Sequence, residues 1–216
     1  MARESKKFPN LIIVDHPLVQ HKLTLMRMKT TTRGDFRQLL KEIGMLMTYE
    51  LTRDYKTHSV NIETPVAKMK GEVLSGKKTT VVPILRAGLA MADGVMEIMP
   101  RARMGQIGLY RDQETRRPVE YMVKLPPVEN RRFILVDPML ATGGSAAHAA
   151  RILTTHGVAS HDIQFMALVS APEGVREFHT KHPDIVVYTA ALDEKLNEKA
   201  YIVPGLGDAG DRIYGT

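Results

Sequence analysis

Short apolar runs rich in β-branched residues alternate with helix-like stretches through most of this chain, and this alternation constrains the fold more than any other feature. The segments predicted to be strands are 79–85, 104–110, 132–136, 163–170 and 184–190. Helices are predicted at 88–99 and 145–157, and a turn or short helix at 171–182. Strands that alternate with helices form a parallel sheet covered on both faces. The sequence therefore predicts a doubly wound α/β fold.

A long amphipathic helix is predicted before this region, over residues 35–55, with Asp35 as its N-cap. Its apolar stripe consists of Phe36, Leu39, Leu40, Ile43, Leu46, Met47 and Leu51. Segment 111–132 interrupts the alternation, because it is polar, charged and contains prolines. It is predicted to leave the sheet as a long loop or hairpin, either a lid or a disordered surface loop.

Composition limits the classes of function. The 216 residues, 44% hydrophobic and 25% charged, suit one globular domain over 1–216. We expect no membrane span and no secretory signal, because the apolar runs are too short. The absence of cysteine rules out disulfides and thiolate metal sites and fits the cytoplasm. The net charge of +6 favours anionic partners, although a solvated basic face is the commoner explanation.

The stretch FILVDPMLATGGS, residues 133–145, combines a strand end with a phosphate-binding pattern. Asp137 follows the predicted strand, at the edge where open α/β sheets bind ligands. Thr142, Gly143, Gly144 and Ser145 then offer consecutive backbone N–H groups and two hydroxyls at a helix start. The stretch has no lysine and no G-x-G-x-x-G, so it is neither a Walker A loop nor a dinucleotide fingerprint.

An aspartate beside a phosphate site needs its own explanation, because two anions repel. A carboxylate accepts hydrogen bonds from two vicinal hydroxyls, so Asp137 before this turn suits a ribose 5-phosphate. The alternative is that Asp137 only caps the helix.

Two further segments indicate a ligand site. Arg86 and Arg111 each follow a predicted strand, so both should emerge on the same side as Asp137, where they suit pyrophosphate, unless they form only surface ion pairs. The segment 201–216 is rich in glycine yet carries several apolar residues, which predicts an ordered loop around a ligand. A glycine-rich turn without a ligand is the alternative.

The stretch 133–145 resembles the phosphoribosyl diphosphate (PRPP) loop of the phosphoribosyltransferases. Most of those enzymes carry two adjacent acids here, whereas Asp137-Pro138 is similar to the uracil phosphoribosyltransferase family. Other stretches that resemble this family are 16–27, 81–94, 108–112, 171–174 and 201–216. Together these stretches span nearly the whole chain.

The resemblance implies a type I phosphoribosyltransferase fold, with a mostly parallel twisted sheet flanked by helices, a hairpin or loop excursion and a C-terminal base-binding loop. It implies conversion of uracil and PRPP to UMP and diphosphate in pyrimidine salvage. The implied PRPP-binding residues are Arg86, Arg111, Asp137, Pro138, Met139, Leu140, Ala141, Thr142, Gly143, Gly144, Ser145 and Asp208. The implied uracil-binding residues are Ile202, Gly207, Asp208 and Ala209.

The resemblance also implies Mg²⁺ held mainly through the substrate pyrophosphate, GTP as an effector, and a homo-oligomer. We assign no general base and no direct protein ligand to the metal. His179 and His182 lack a third ligand nearby, so they predict no metal site. Two alternatives stay open: the same reaction on another base, and an RNA-binding regulator on the same scaffold, which the lack of an aromatic-rich basic strand disfavours.

Overall fold

The computed structural model describes residues 2–111 and 118–216, except for the side chain of Arg111. The strands are β1 (Arg3–Glu4), β2 (Leu11–Ile13), β3 (Thr57–Glu63), β4 (Lys68–Leu74), β5 (Lys78–Leu85), β6 (Arg103–Met104), β7 (Gln106–Arg111), β8 (Pro118–Lys124), β9 (Arg131–Val136), β10 (Met139–Leu140), β11 (Ile163–Ser170), β12 (Val186–Leu192), β13 (Lys195–Leu196) and β14 (Ile202–Val203). The helices are α1 (Pro17–Arg27), α2 (Arg33–Leu51), α3 (Gly88–Ile98), α4 (Gly144–Thr155), α5 (Pro172–Lys181) and α6 (Ala209–Tyr214).

The main sheet has the strand order β1-β2-β12-β11-β9-β5-β7-β8. The strands from β2 to β7 in this order are parallel, and β1 and β8 pair antiparallel at the two edges. The two-residue strands β6 and β10 pair with β5 and β11. The predicted α/β fold with a mostly parallel sheet is therefore confirmed.

Helices cover both faces of this sheet because side chains of each strand alternate between two apolar layers. In β9, Ile134 and Val136 pack in the layer that contains α1, α2, α3 and α6. Phe133 and Leu135 of the same strand pack in the layer that contains α4 and α5. All four side chains are fully buried, which explains why the strand reads as an uninterrupted apolar run.

Helix α2 corrects one prediction. It begins at Arg33 and ends at Leu51, and its N-cap is Thr32, not Asp35. The Thr32 hydroxyl accepts a hydrogen bond from the Asp35 backbone N–H at 3.2 Å and donates to the Asp35 carboxylate at 2.7 Å. Asp35 therefore lies in the first turn, where its negative charge interacts favourably with the helix dipole.

Two antiparallel hairpins accompany the parallel strands. The first is formed by β7 and β8, so residues 118–124 of the predicted 111–132 excursion do not leave the sheet but form its antiparallel edge strand; residues 112–117 lie outside the described part of the chain. The second, which we call the arm hairpin (residues 57–74), is formed by β3 and β4 and was not predicted. Nearly all of its side chains are exposed. None of the helices in the described part of the chain combines the length and hydrophobicity of a membrane span.

Candidate active site

The candidate site lies where strand order reverses in the main sheet. From β5 the chain passes through α3 to β7 on one side, whereas β9 lies on the other side of β5. The ends of β5 and β9 are in register, with Pro83 opposite Val136. Arg86 and Asp137 therefore leave adjacent strands at their carboxyl ends, the position where open α/β sheets bind ligands.

A cavity of about 460 Å³ opens at this edge, and segments distant in sequence line it together. The predicted site residues among its lining are Arg86, Asp137, Met139, Leu140, Ala141, Thr142, Gly143, Ser145, Ile202, Gly207, Asp208 and Ala209. Pro138 and Gly144 are described but are not among the lining residues. The prediction for the Arg111 side chain falls outside the described residues.

Pro138 is bound to the sheet through its backbone carbonyl. Its carbonyl accepts hydrogen bonds from the backbone N–H groups of Leu168 and Val169 at 3.0 and 3.1 Å. On either side of it, the Asp137 N–H donates to the Met166 carbonyl at 3.1 Å and the Leu140 carbonyl accepts from Ala171 at 2.9 Å. The loop after β9 is thus fixed along β11 by its backbone, which leaves the following residues to face the cavity.

The turn into α4 requires glycine at position 143. Gly143 is the N-cap of α4 with φ of +82°, a left-handed conformation that glycine adopts without strain. A Cβ built there would lie 2.6 Å from the carbonyl oxygen of Gly174, in the first turn of α5. Gly174 in turn would bring a Cβ within 2.6 Å of the Leu140 carbonyl. This backbone contact between α5 and the loop accounts for the glycine of the 171–174 stretch.

The start of α4 faces the cavity. Gly143, Ser145 and Ala146 all line it, and the N-cap Gly143 has no side chain with which to cap the helix. The first N–H groups of a helix have no partner within it, and together with the helix dipole they make this end of α4 attractive to an anion. Thr142, Gly143 and Ser145 of the predicted phosphate-binding turn thus lie at the cavity, and their role in binding phosphate stays a prediction.

Arg86 is held by the C-terminal helix. Its guanidinium carbon lies 5.2 Å from the ring centre of Tyr214, and the Tyr214 hydroxyl donates to the Arg86 carbonyl at 2.8 Å. Arg86 Nη2 also lies 3.4 Å from the Thr216 hydroxyl. Burial raises the pKa of Tyr214, against the opposing effect of the nearby Arg37 and Arg86 charges, so the phenol is neutral at physiological pH. A cation over a neutral aromatic ring is a favourable arrangement for Arg86.

The C-terminal loop (residues 202–210) is ordered, as predicted. Its first residues pair with β13 in a short antiparallel hairpin, and Ile202 and Ala209 are almost fully buried. Asp208 is the N-cap of α6, and its Oδ1 accepts a hydrogen bond from the Asp211 N–H at 3.0 Å. Ile202, Gly207, Asp208 and Ala209 of this loop all line the cavity.

Sequence reasoning missed several residues that line the cavity, among them Leu109, Tyr110, Lys199 and Ala200. Tyr110 lies within the 108–112 stretch, whose resemblance to the family could have pointed to it. No sequence motif marked Lys199 and Ala200, because they lie in the turn between β13 and β14, where Ala200 has a positive φ of 63°.

His179 and His182, for which the sequence predicts no metal site, are not among the residues that line the cavity. His182 Nε2 lies 2.9 Å from the Ala147 carbonyl, and His179 Nε2 is buried without a partner among the described residues. No group of three or more His, Cys, Asp or Glu side chains within 2–111 and 118–216 is arranged to hold a metal ion.

The sequence matches the family described as uracil phosphoribosyltransferase over residues 13–216. The chain belongs to this family. A uracil phosphoribosyltransferase of Rhodospirillum centenum is 60% identical over 214 residues, which cover 99% of each chain. A uracil phosphoribosyltransferase of Clostridium botulinum is 59% identical over 207 residues, which cover 95% of this chain and 98% of that protein.

Solved structures agree on the fold. The AQ2163 protein from Aquifex aeolicus has a TM-score of 0.89 at 33% identity, covering 95% of this chain and 98% of that one. An adenine phosphoribosyltransferase from Trypanosoma brucei has a TM-score of 0.61 at 15% identity, covering 96% and 91%. The fold of this member of the uracil phosphoribosyltransferase family is thus the type I phosphoribosyltransferase fold, and the resemblance carried by the Asp137-Pro138 stretch is confirmed.

Proposed function

We propose that this chain transfers the 5-phosphoribosyl group of PRPP to uracil, giving UMP and diphosphate in pyrimidine salvage. The observation that carries the proposal is one cavity lined by the turn into α4, by Arg86 and by the C-terminal loop. The reaction needs places for a phosphate, a pyrophosphate and a flat base around one sugar, and these segments supply them.

The 5-phosphate is assigned to the turn at Thr142–Ser145, together with Met139, Leu140 and Ala141 of the preceding loop. Backbone N–H groups at the start of α4 neutralise the phosphate without a lysine. Asp137 is assigned to the ribose hydroxyls, since it lines the cavity next to this turn. Pro138 and Gly144 then shape the loop through the backbone.

The pyrophosphate is assigned to Arg86 and Arg111, with Asp208 facing PRPP from the C-terminal loop. Arg86 is exposed and already oriented by Tyr214, so little side-chain entropy is lost on binding an anion. The uracil ring is assigned to the C-terminal loop: Ile202 and Ala209 cover it, and backbone groups from Gly207 to Ala209 pair with its polar edge.

In the reaction, uracil N1 forms a bond to C1 of the ribose as the bond from C1 to the pyrophosphate oxygen breaks. Pyrophosphate departs with the bonding electron pair, and the N1 proton is released. The protein contributes mainly by orienting the two substrates and by stabilising the charge on the leaving group. No residue is assigned as a general base.

The cavity fits a Mg²⁺ ion that enters with pyrophosphate. Asp137 and Asp208 line it, and their carboxylates would provide an anionic, oxygen-rich surface that suits the ion and the waters it retains, without either residue being assigned as a direct ligand. Bound there, the ion would neutralise charge on the leaving group. Its coordination mainly through the substrate remains a prediction.

Residues 1–216 are proposed to form a single domain that assembles as a homo-oligomer. The arm hairpin is the surface that a second copy would cover, because it exposes Ile62, Val66 and Met69, with Val66 94% accessible. Sedimentation of Val66→Asp tests this: it is expected to dissociate an oligomer that the wild type forms. We also propose that the reaction takes place in the cytoplasm, because PRPP is too highly charged to cross membranes unaided. GTP is proposed as an effector.

The deciding experiment is the release of pyrophosphate from PRPP with each nucleobase in turn, with and without GTP. Uracil is expected to support turnover and the other bases are not. Asp137→Asn is expected to raise the KM for PRPP, while Asp184→Asn, which removes a charge from an exposed loop, is expected to leave it unchanged. Turnover with a different base would reassign the substrate, and salt-sensitive RNA binding without any turnover would favour an RNA-binding protein.

A further inference from the structure

The 16–27 stretch, which ends at Arg27, lies outside the cavity, and the proposed reaction assigns it no role. We propose that Arg27 and Asp193 are positioning residues that hold the C-terminal loop in the shape needed to bind the base. This inference rests on the proposed function, because it assigns the loop to uracil.

Arg27 and Asp193 form a closed set of hydrogen bonds with one residue of the loop. Arg27 Nη2 and Nη1 donate to Asp193 Oδ1 and Oδ2 at 2.6 and 2.8 Å, a two-pronged ion pair. Arg27 Nη1 also donates to the Gly205 carbonyl at 2.6 Å, and the Gly205 N–H donates to Asp193 Oδ2 at 2.9 Å. Both backbone polar groups of Gly205 are thus bound by this pair.

The pair is anchored to the sheet. Asp193 directly follows β12, and its N–H donates to the carbonyl of Ser170, the last residue of β11, at 2.8 Å. The Asp193 side chain is only 5% exposed and that of Arg27 23%. A carboxylate and guanidinium so little exposed keep a fixed geometry, because a broken pair would leave a buried charge unpaired.

Arg212 secures the other side of the same turn. Its Nη1 donates to the carbonyls of Leu206 and Met26 at 2.9 and 2.5 Å, and its Nη2 donates to the Met28 carbonyl at 2.7 Å. The end of α1 and the C-terminal loop are therefore tied by two arginines that reach in opposite directions. The tie ends on Gly205 and Leu206, immediately before the cavity-lining residues Gly207 to Ala209.

These hydrogen bonds preserve the backbone conformation of Gly205. Its φ is +58°, and any Cβ there would collide with the Ile202 carbonyl, so the turn is tight. Without its hydrogen bonds, this turn could relax and move the backbone groups of Gly207 and Asp208. The hydrogen bonds of Arg27 and Asp193 described above go to each other, to Gly205 and to Ser170, which lie outside the loop from Asp137 to Ser145. Asp208 is the one proposed PRPP-binding residue in this turn, so the expected effect falls mainly on the base.

The test compares Arg27→Met with Lys22→Met. Lys22 lies on the same helix and forms an ion pair with Glu42 of α2 at 2.5 Å, so its loss weakens the attachment of α1 without touching the loop. Arg27→Met is expected to raise the KM for uracil about tenfold or more, since hydrogen bonds to charged groups are lost. Its KM for PRPP, and the Kd for inorganic pyrophosphate measured by calorimetry, are expected to change less than about twofold.

Lys22→Met is expected to lower the melting temperature with both KM values unchanged. If Arg27→Met does not fold, Arg27→Lys keeps the charge, loses the two-pronged geometry and is expected to show the same split to a smaller degree. Parallel weakening of uracil and pyrophosphate binding, or a lower melting temperature with unchanged KM values, would overturn the positioning role. Wild-type protein that releases no pyrophosphate with uracil would instead refute the proposed function itself.

Discussion

Replacement of Tyr214 by leucine is expected to weaken pyrophosphate binding, because it removes the support of Arg86. In the wild type, the Arg86 guanidinium lies over the Tyr214 ring at 5.2 Å, and the phenol donates to the Arg86 carbonyl at 2.8 Å. The first contact orients the side chain and the second fixes its backbone. Leucine fills part of the space but supplies neither contact.

The magnitude follows from these two contacts. A cation–π contact at an exposed site contributes about 0.5–1 kcal/mol, and a neutral hydrogen bond contributes about 0.5–1.5 kcal/mol. Their sum of about 1–2.5 kcal/mol corresponds to roughly fivefold to seventyfold in Kd at about 1.4 kcal/mol per factor of ten. Because Arg86 is exposed, we expect the lower end, about fivefold to tenfold. Tyr214→Phe keeps the ring and should lose only about twofold.

The assay is calorimetric titration of each variant with inorganic pyrophosphate. Tyr49→Leu is the matched control, since Tyr49 is exposed on α2 and also lies beneath an arginine, Arg53, at 5.9 Å, but does not line the cavity. Its Kd should equal that of the wild type. A wild-type Kd for Tyr214→Leu, or a loss in Tyr214→Phe as large as in Tyr214→Leu, would contradict the proposed support of Arg86 by the ring.

Three further predictions concern the base subsite, the phosphate turn and the pH dependence of stability. Ala209→Leu, at a buried cavity-lining position, should raise the KM for uracil far more than the KM for PRPP; equal increases would count against a base subsite there. Gly143→Ala should lower the free energy of unfolding in urea and weaken PRPP binding, because it adds a clash with Gly174 to the cost of about 1–2 kcal/mol for a left-handed alanine. Gly157→Ala, at φ +89° with open space around it, should show the backbone cost alone and normal PRPP binding. Burial lowers the pKa of His179, so its contribution to stability is present above about pH 6.5 and is lost as the pH falls through the folded-state pKa. The unfolding free energy of His179→Phe should therefore fall less than that of the wild type between pH 7.5 and 5.5, and identical slopes would contradict this assignment.

The central strands were predictable because they are continuous apolar runs, which are buried whichever helices pack against them. The predicted segment 163–170 coincides with β11, and 132–136 differs from β9 by one residue. Since carboxyl ends of parallel strands meet at one edge, the strand pattern alone was enough to place Asp137 and Arg86 in one site. Local sequence patterns were thus enough to predict the residues on the side of the cavity that is proposed to bind PRPP.

Other features depend on information that local patterns do not carry. Thr32 and Asp35 are both residue types that cap helices, and they hydrogen-bond to each other in the structure. The sequence alone does not show which of the two is the N-cap. The arm hairpin carries apolar residues on one face, such as Ile62 opposite Met69, but the described residues leave them exposed, so no buried core run marks its strands in the sequence. Arg27 and Asp193 are separated by 166 residues, so their pairing appears only once α1 lies beside β12. Such contacts form only in the tertiary fold, and the spacing of residues along the sequence does not predict them.

Helix α6 connects the two halves of the proposed site. At its start, Asp208 and Ala209 line the cavity on the side assigned to the base, and at its end Tyr214 supports Arg86 on the side assigned to pyrophosphate. Six residues at about 1.5 Å each separate these ends by roughly 9 Å, and the buried Ile213 keeps the helix packed between them. Arg212, on the same helix, ties it to the loop that Arg27 and Asp193 hold. On the proposed assignments, one short helix would position both the base and the leaving group, which accounts for the buried apolar residues in a glycine-rich C-terminal segment.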